Sequence, residues 1–460
     1  MYTESKCYYQ KHRRSCFNSE ICQKIHEIQY FDGIIDLLNQ KEKEISDSTQ
    51  EIKKLQDNLK AFQNENQNTT KESTVNQTNE NDNHSKEIMI KIAKLKKSNN
   101  FNTVYNFLND LSLKGNHEML SKACEEGLWK KIAPKEDKYS PEQNVLHFAC
   151  EKGNLRLVKS LIECGCDKDA KDNYDMTPLI WASGYGHLEV VKYLISVGAD
   201  KEAKNKDGYT PLIYASEEGQ LEVVKYLISV GADKKARDND GYTPLIYASG
   251  YGHLEVVKYL ISVGADKEAK NKDGYTPLIY ASEEGQLEVV KYLISVGADK
   301  KAKNKDGYTP LIYASEEGQL EVVKYLISVG ADKEAKNKDG YTPLIYASEE
   351  GQLEVVKYLI SVGADKKAKN KDGYTPLIYA SEEGQLEVVK YLISVGADKE
   401  AKNKDGYTPL IYASEEGQLE VVKYLISVGA DKKARDNDGK TALMLAKRNV
   451  KKYLKTICAE

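Results

Sequence analysis

Three cysteines and a histidine near the amino terminus are the residues of this sequence best suited to hold a metal ion. Cys7, Cys16, Cys22 and His26 follow the spacing C-x8-C-x5-C-x3-H. Three thiolates and one imidazole satisfy the tetrahedral coordination that structural zinc requires. The four residues are therefore a candidate zinc site.

The surroundings of this cluster favour one of two interpretations. The spacing resembles the Cys3His zinc finger of RNA-binding proteins, and the resemblance implies base stacking and phosphate contacts. The residues available for such contacts are Tyr8, Tyr9, Phe17, Lys11, Arg13 and Arg14. Such fingers usually have an aromatic residue two positions before the histidine and a glycine before the second cysteine, where this chain has Lys24 and Ser15. We therefore favour a leader, residues 1–30, that holds no metal, and keep an RNA-binding regulator as an alternative.

Catalytic motifs are absent from the sequence. It has no Gly-rich phosphate loop of either common type, no His-Glu-x-x-His and no Cys-x-x-Cys. The seven histidines are scattered, without a Ser or Cys partner that would form a nucleophile and base pair. The adjacent acids Glu217 and Glu218 recur in six copies, which is typical of a surface pattern because a catalytic site is normally single. We predict a protein without enzymatic activity and without a cofactor.

A 33-residue repeat sets the elements that position all other candidate residues. It fills about two-thirds of the chain. Its Thr-Pro pair recurs at Thr177, Thr210, Thr243, Thr276, Thr309, Thr342, Thr375 and Thr408. An altered copy precedes these at Asn144 and another follows at Thr441. A period of this length predicts a solenoid in which each unit packs on its neighbours.

Each copy predicts two short helices and a turn. Thr210 can cap a first helix, Pro211 suits its first position, and Gly219 can end it in a left-handed conformation. Apolar residues at helical spacing then predict a second helix. Its expected buried face is Leu221, Val224, Leu227 and Ile228. An Asp-Gly pair before each Tyr-Thr-Pro predicts a tight turn, so residues 232–242 should project as a hairpin-like arm.

These residues resemble the ankyrin repeat family, whose pattern is Asp-x-x-Gly-x-Thr-Pro-Leu-His-x-Ala-Ala-x-x-Gly-His, then an apolar helix and Gly-Ala-Asp. The resemblance spans residues 140–460 and implies an all-α solenoid of helix pairs with hairpin arms. The family's histidine after leucine is kept at His147 and replaced in the later copies, for example by Ile213, Ile246 and Ile312. We expect apolar packing to replace the hydrogen bonds of that histidine and the fold to be retained.

The resemblance also implies where partners bind. Ankyrin repeat proteins bind other proteins along the concave surface formed by arm tips and first helices. Two copies replace Glu-Glu-Gly-Gln by Gly-Tyr-Gly-His, which adds Tyr185 and Tyr251, so we expect a specific epitope between residues 181 and 251. Tyrosine is enriched at interaction hot spots. The predicted contact residues are Lys206, Asp207, Tyr209, Glu217, Glu218, Tyr185, Tyr242, Tyr251, Tyr275 and Tyr308.

One charge alternates strictly from copy to copy. The residue after Ala-Asp-Lys is, in order, Glu202, Lys235, Glu268, Lys301, Glu334, Lys367, Glu400 and Lys433. The alternation indicates duplication in units of 66 residues. Recent copying alone accounts for identical rows of tyrosine and glutamate, so these rows do not require a ligand of the same period.

The residues before the repeats divide by composition. Residues 31–62 carry apolar residues at heptad spacing and predict a coiled coil that could form a homodimer, the alternative being one amphipathic helix that lies on the next domain. Residues 63–86 are rich in Asn, Gln, Thr, Glu and Ser and predict a disordered linker. Residues 87–139 predict helices that cap the solenoid, and the last copy, with Ala442 in place of proline, predicts the opposite cap.

Charge and hydropathy bound the environment of the chain. The formal net charge is −4 and 30% of residues are charged, so no overall field attracts nucleic acid or anionic lipid. The sequence contains no run of 18 apolar residues, so it predicts no membrane span. Its amino terminus does not join basic residues to an apolar stretch, so it predicts no signal peptide. Eight cysteines in so long a chain fit reduced thiols. We expect an intracellular protein, located in the cytoplasm or the nucleus.

The sequence thus predicts a non-enzymatic scaffold or adaptor that binds other proteins, of unknown identity, through a concave solenoid face. A dimeric coiled coil would make it bivalent and raise its avidity. One alternative is the RNA-binding regulator named above. A second is a membrane-cytoskeleton adaptor like the ankyrins themselves, with which this chain shares only the repeat.

Overall fold

The fold is all-α in the part of the chain that the computed structural model describes, residues 74–134 and 141–458. These residues form 23 α-helices and one 3₁₀-helix, without a β-strand. Two isolated β-bridges join Ile132 to Asn144 and Arg435 to Thr441. None of the described helices is both long and apolar enough to cross a membrane.

Several sequence predictions fall on residues outside the described ranges. They are the leader 1–30 with the candidate zinc site at Cys7, Cys16, Cys22 and His26, the coiled coil at 31–62, and residues 63–73 of the linker. Within the described residues, no group of three or more His, Cys, Asp or Glu side chains could hold a metal ion.

From residue 74 onward, three α-helices and one 3₁₀-helix precede the repeats: α1 (Thr74–Lys97), α2 (Phe101–Leu113), α3 (His117–Glu125) and the 3₁₀-helix Leu128–Lys130. The chain divides into two units at residues 90 and 91, a boundary that lies inside α1. Because α1 begins at Thr74, residues 74–86 are helical where the sequence predicts a flexible linker. A helix that has already formed extends at low cost, since each added residue gains a backbone hydrogen bond.

Helices α2 and α3 pack against the second helix of the first repeat. The Ser112 and Ser160 hydroxyls lie 2.8 Å apart in a buried hydrogen bond. The Asn154 amide donates to the Tyr105 hydroxyl at 3.1 Å. The Tyr105 ring meets Phe148 edge to face, with centroids 5.1 Å apart. These contacts bury what would otherwise be an open end of the stack.

Ten helix pairs follow, numbered here as repeats 1 to 10. Their helices are α4 (Val145–Glu151) and α5 (Leu155–Glu163), α6 (Pro178–Gly184) and α7 (Leu188–Ser196), α8 (Pro211–Glu217) and α9 (Leu221–Ser229), α10 (Pro244–Gly250) and α11 (Leu254–Ser262), α12 (Pro277–Glu283) and α13 (Leu287–Ser295), α14 (Pro310–Glu316) and α15 (Leu320–Ser328), α16 (Pro343–Glu349) and α17 (Leu353–Ser361), α18 (Pro376–Glu382) and α19 (Leu386–Ser394), α20 (Pro409–Glu416) and α21 (Leu419–Ser427), and α22 (Ala442–Leu445) and α23 (Arg448–Cys458).

The first helix of each inner repeat begins and ends where its sequence predicts. In repeat 3 the Thr210 hydroxyl accepts the Ile213 amide at 3.2 Å, and Pro211 occupies the first helical position. Gly219 then has φ +71°, the left-handed conformation that lets the chain reverse into the second helix. Ile213 is fully buried, as expected for the residue that replaces the family histidine.

The buried face of the second helix differs from the predicted one. Val223, Val224 and Leu227 are buried in α9, whereas Leu221 and Ile228 remain partly exposed. A helix between two neighbouring repeats needs contact surfaces on both sides of its axis, and the adjacent valines supply them. A pattern with one apolar stripe therefore described only part of the packing.

Hairpin arms precede the first helices and join each repeat to the next. In repeat 3 the Asn205 amide donates to the Tyr209 carbonyl at 3.1 Å, which closes the predicted turn at Gly208 (φ +86°). The Asn239 amide of the following arm donates to the Asp207 carbonyl at 2.8 Å. The arms thus form a hydrogen-bonded row parallel to the row of first helices.

First helices of adjacent repeats pack more extensively than second helices do. Closer packing on one side curves a stack of repeats toward that side. The arms and first helices therefore lie on the concave face of the stack of repeats, and the second helices lie on its convex face.

Candidate functional site

The predicted contact residues of repeat 3 lie on the concave face, but they are not equally available. Lys206, Asp207 and Glu218 are exposed, whereas Tyr209 and Glu217 are partly buried. Asp207, Tyr209 and Glu217 line one cavity of about 480 Å³. The structure therefore brings these three together, whereas Lys206 and Glu218 are not part of the lining.

Most arm tyrosines are already engaged within the solenoid. The Tyr209 hydroxyl donates to the Tyr247 hydroxyl of the next repeat at 2.7 Å, and their ring centroids are 5.2 Å apart. Equivalent hydroxyl pairs join Tyr275 to Tyr313, Tyr308 to Tyr346, Tyr341 to Tyr379 and Tyr374 to Tyr412. Burial raises the pKa of Tyr313 to about 12 and that of its counterparts further. These rings form a ladder that connects neighbouring repeats.

The tyrosines of the first helices complete this ladder, and the sequence analysis did not select them. Each follows the capping threonine by four residues, as Tyr247 follows Thr243. That spacing, one turn along the helix, places both side chains on the same face and is the signal that identifies them. Their hydroxyls also meet the arm of their own repeat, where Asn304 donates to Tyr313 at 3.0 Å and Tyr247 donates to Asp238 at 2.7 Å.

The two Gly-Tyr-Gly-His copies break the ladder. In repeats 2 and 4 the last residue of the first helix is Gly184 or Gly250 instead of glutamate. A Cβ at Gly184 would lie 2.2 Å from the Tyr214 ring, and one at Gly250 would lie 2.3 Å from the Tyr280 ring. The tyrosine of the following repeat therefore lies against the glycine backbone. At the second site this leaves the Asn271 amide nitrogen buried without a hydrogen-bond partner.

The same copies expose two aromatic rings. Tyr185 is 47% exposed and Tyr251 is 51% exposed, and both follow directly after a first helix. Trp181 lies one turn before Tyr185, with ring centroids 6.0 Å apart. These positions belong to the stretch 181–251 that the sequence singled out.

The histidines of these copies have a structural part instead. His187 hydrogen-bonds the Glu151 carbonyl and His253 the Glu217 carbonyl, each at 2.7 Å through Nε2. Glutamines in the regular copies make the matching contact, as Gln319 does to Glu283 at 3.2 Å. Both residue types fasten a second helix to the first helix of the preceding repeat.

A row of half-buried glutamates follows the concave ends of the first helices. Its members are Glu217, Glu283, Glu316, Glu349 and Glu382. Burial raises the pKa of each carboxyl to about 7, and neighbouring glutamates add to the shift. For Glu217, hydrogen bonding with Tyr251 partly offsets it. The sequence analysis interpreted the Glu-Glu pairs as a surface pattern, whereas in the structure the first glutamate of each pair is partly buried.

A cavity on the concave face extends along repeats 2 to 4. It has a volume of about 480 Å³ and is lined by Pro141, Tyr174, Met176, Trp181, Asn205, Asp207, Tyr209, Tyr214, Glu217, Asp238, Asn239, Asp240 and Tyr247. Carboxylates and aromatic rings dominate this lining, a combination suited to binding positively charged groups.

Comparison with known families agrees with the observed architecture. The family model described as ankyrin repeats (three copies) matches the residues 97–205, 146–238, 197–271, 228–304, 261–337, 287–370, 329–403 and 395–459. A search of the curated proteins found no match. The family match covers most of the chain and coincides with the helix pairs, capping threonines and arms described above. The chain therefore belongs to the ankyrin repeat family.

Proposed function

We propose that this protein is a non-enzymatic scaffold or adaptor that binds partner proteins through the concave face of repeats 2 to 4. Ankyrin repeats are protein-interaction modules and typically lack enzymatic activity. The observation that carries the proposal is the exposure of Tyr185 and Tyr251, at 47% and 51%, on a face where the ladder tyrosines are partly buried.

The ladder supports this division of labour between copies. The ring of a ladder tyrosine packs against a ring of the neighbouring repeat, as Tyr209 does against Tyr247, so less of its surface is available to a partner. Tyr185 and Tyr251 offer large rings with few rotors to freeze, which suits an interaction hot spot. The regular repeats 5 to 9 then extend and stiffen the surface that carries them.

Two further parts of the proposal concern assembly and location. A coiled coil at residues 31–62 would pair two chains and present two concave faces, which raises avidity. A mass of twice 51.7 kDa for the purified chain supports this pairing, and a single-chain mass opposes it. We also propose an intracellular location, supported by the free thiols of Cys124, Cys150, Cys164 and Cys166.

Proximity labelling with the full chain tests the proposal. We compare Tyr185→Ser/Tyr251→Ser with Tyr193→Ser/Tyr259→Ser, which changes the same residue type in the convex helices of the same repeats. The expected result is loss of a defined set of labelled proteins from the concave variant and retention of that set in the convex variant. Equal labelling by both variants, with unchanged circular dichroism, would show that the concave face is not the binding surface.

A further inference from the structure

The cavity of repeats 2 to 4 lies at one of the two places where a rung of the tyrosine ladder is missing. In the regular copies the hydroxyl of a first-helix tyrosine lies between the asparagine of its own arm and the arm tyrosine of the preceding repeat, as for Tyr313. The corresponding residues around Tyr214 are Asn205 and Met176. Met176 offers no hydroxyl, and Tyr214 lies against Gly184 instead.

The vacated position is part of the cavity. Both Asn205 and Met176 line it, and the side-chain amide of Asn205 donates to the Met176 sulfur at 3.3 Å. A thioether is a weak acceptor. This amide can therefore exchange its present partner for a stronger acceptor, such as the backbone carbonyl of a bound peptide.

The charged side chains that line the cavity are all acidic. Four carboxylates, Asp207, Glu217, Asp238 and Asp240, line it, and none of its lining residues is Lys, Arg or His. Asp238 is committed through its hydrogen bond from Tyr247. Burial raises the pKa of Glu217 to about 7, as expected of a carboxyl that lacks a positive partner.

Aromatic rings form much of the remaining wall, and three of them are held by hydrogen bonds. The Trp181 indole donates to Asp172 at 3.2 Å and is only 7% exposed. The hydroxyls of Tyr209 and Tyr247 are paired at 2.7 Å. Fixed rings beside carboxylates offer a flat cation both a stacking surface and charged acceptors.

We infer that this cavity receives an arginine side chain from an extended segment of the partner protein. Arginine fits better than lysine because its planar guanidinium stacks on aromatic faces and donates two parallel hydrogen bonds to a carboxylate. The inference rests on the proposed function, since it names the chemistry of the partner at the same concave face.

Tryptophan fluorescence gives a readout confined to this cavity. The chain has two tryptophans, Trp129 and Trp181, so Trp129→Phe leaves Trp181 as the single reporter. The probes are the tripeptides acetyl-Gly-Arg-Gly-amide, its lysine version and its citrulline version, which has nearly the shape of arginine without the charge. We expect a saturable change with the arginine peptide, a weaker one with lysine and none with citrulline.

Paired variants assign the response to the carboxylates. Glu217→Gln/Asp240→Asn should raise the Kd for the arginine peptide about tenfold or more, since hydrogen bonds to a charged group contribute about 1.5–3 kcal/mol. The matched control is Glu316→Gln/Asp339→Asn, the same positions 99 residues further along the chain, and should leave the Kd unchanged. Circular dichroism confirms that both variants are folded.

Three outcomes would overturn the inference. They are an equal response to citrulline, an equal effect of the control pair, and no saturable response to any peptide. If Trp181 fails to respond while partner labelling still depends on Tyr185 and Tyr251, the arginine inference is wrong and the proposed function stands. Conversely, an arginine-specific response in a chain whose labelling is insensitive to those tyrosines supports the cavity and contradicts the proposed function.

Discussion

A single glycine determines where the tyrosine of the next repeat lies. In the regular copies the first-helix tyrosine pairs with the arm tyrosine of the preceding repeat, which for Tyr280 would be Tyr242. Tyr280 instead lies against Gly250, and the ring centroids of Tyr280 and Tyr242 are 5.8 Å apart. The buried Asn271 amide nitrogen consequently lacks the hydroxyl partner that Asn304 has. An unpaired buried donor costs about 1–3 kcal/mol, so this rung is a weak point of the ladder.

Gly250→Glu should therefore stabilise the protein, because it displaces Tyr280 toward Tyr242 and Asn271 and replaces a helical glycine. We expect a gain of about 1–2 kcal/mol for the affected repeat, measured as slower amide hydrogen exchange in α12. Gly184→Glu is the matched control, since Met176 stands where the arm tyrosine would be, and should give a smaller gain. Equal gains from the two substitutions would contradict this account of the ladder.

The glutamate row gives the fold a pH dependence of definite sign. Burial raises the pKa of Glu283, Glu316, Glu349 and Glu382 from 4.5 to about 7. The folded state then binds more protons than the unfolded state between these two values. Stability is therefore greatest at the acidic end, falls as the pH rises through this window, and stays constant above it with respect to these groups.

Glu→Gln at these four positions should remove that dependence and raise stability at pH 8, because the amide keeps the shape and never ionises. The measurement is the urea midpoint between about pH 5 and 8, the window set by the folded and unfolded pKa values. The control changes the exposed convex glutamates Glu288, Glu321, Glu354 and Glu387, whose carboxylates pair with lysines on the surface. A pH profile that persists in the concave variant would show that other groups cause it.

The alternating charge that marks the 66-residue duplication produces two kinds of junction between repeats. Where a Glu copy precedes a Lys copy, the glutamate side chain accepts a backbone amide of the next arm, as Glu334 accepts Asp365 at 2.9 Å. Where the repeat with the alternating lysine comes first, the preceding lysine, that of Ala-Asp-Lys, reaches the end of the next second helix. Lys366, for example, donates to the Val395 carbonyl. A cation there also suits the negative end of the helix dipole.

Glu334→Lys should weaken one junction specifically, because it removes the acceptor of the Asp365 amide. We expect faster hydrogen exchange at Asp365, corresponding to a loss of about 0.5–1.5 kcal/mol for one hydrogen bond. The reverse change, Lys367→Glu, supplies an acceptor to the next arm and should slow exchange at Asp398. If neither amide responds, the alternation is a trace of duplication without a role at the junctions.

The sequence predicted the elements well because their signals are local. Thr210, Pro211 and Gly219 mark one short helix by capping chemistry alone, and their roles are confirmed. Features that depend on the neighbouring repeat were not predictable in the same way. The rotation of Tyr214 onto Gly184 and the double-sided burial of Val223 and Val224 each require the position of another copy. The cavity lies beside such a contact, so only the structure could locate its walls.

Contacts between adjacent repeats hold the solenoid together. The ladder, the arm hydrogen bonds and the alternating junctions all connect a repeat with the one before or after it. In such a stack the stability is close to a sum of repeat and junction contributions. Unfolding is then cooperative only if the favourable free energy of each junction outweighs the unfavourable free energy of folding one repeat alone.

Gly318→Pro tests this view by disrupting the middle of the stack. Gly318, between α14 and α15, has φ +72°, whereas proline requires about −65°, so the reversal between the two helices cannot form. We expect thermal unfolding to split into two steps, one for the repeats on each side, as seen by calorimetry. Gly318→Ala is the control: it strains the same φ but keeps the backbone N–H, and should lower the Tm without splitting the transition. A single transition of unchanged Tm in the proline variant would mean that coupling extends beyond adjacent repeats, and the additive picture of this solenoid would have to be abandoned.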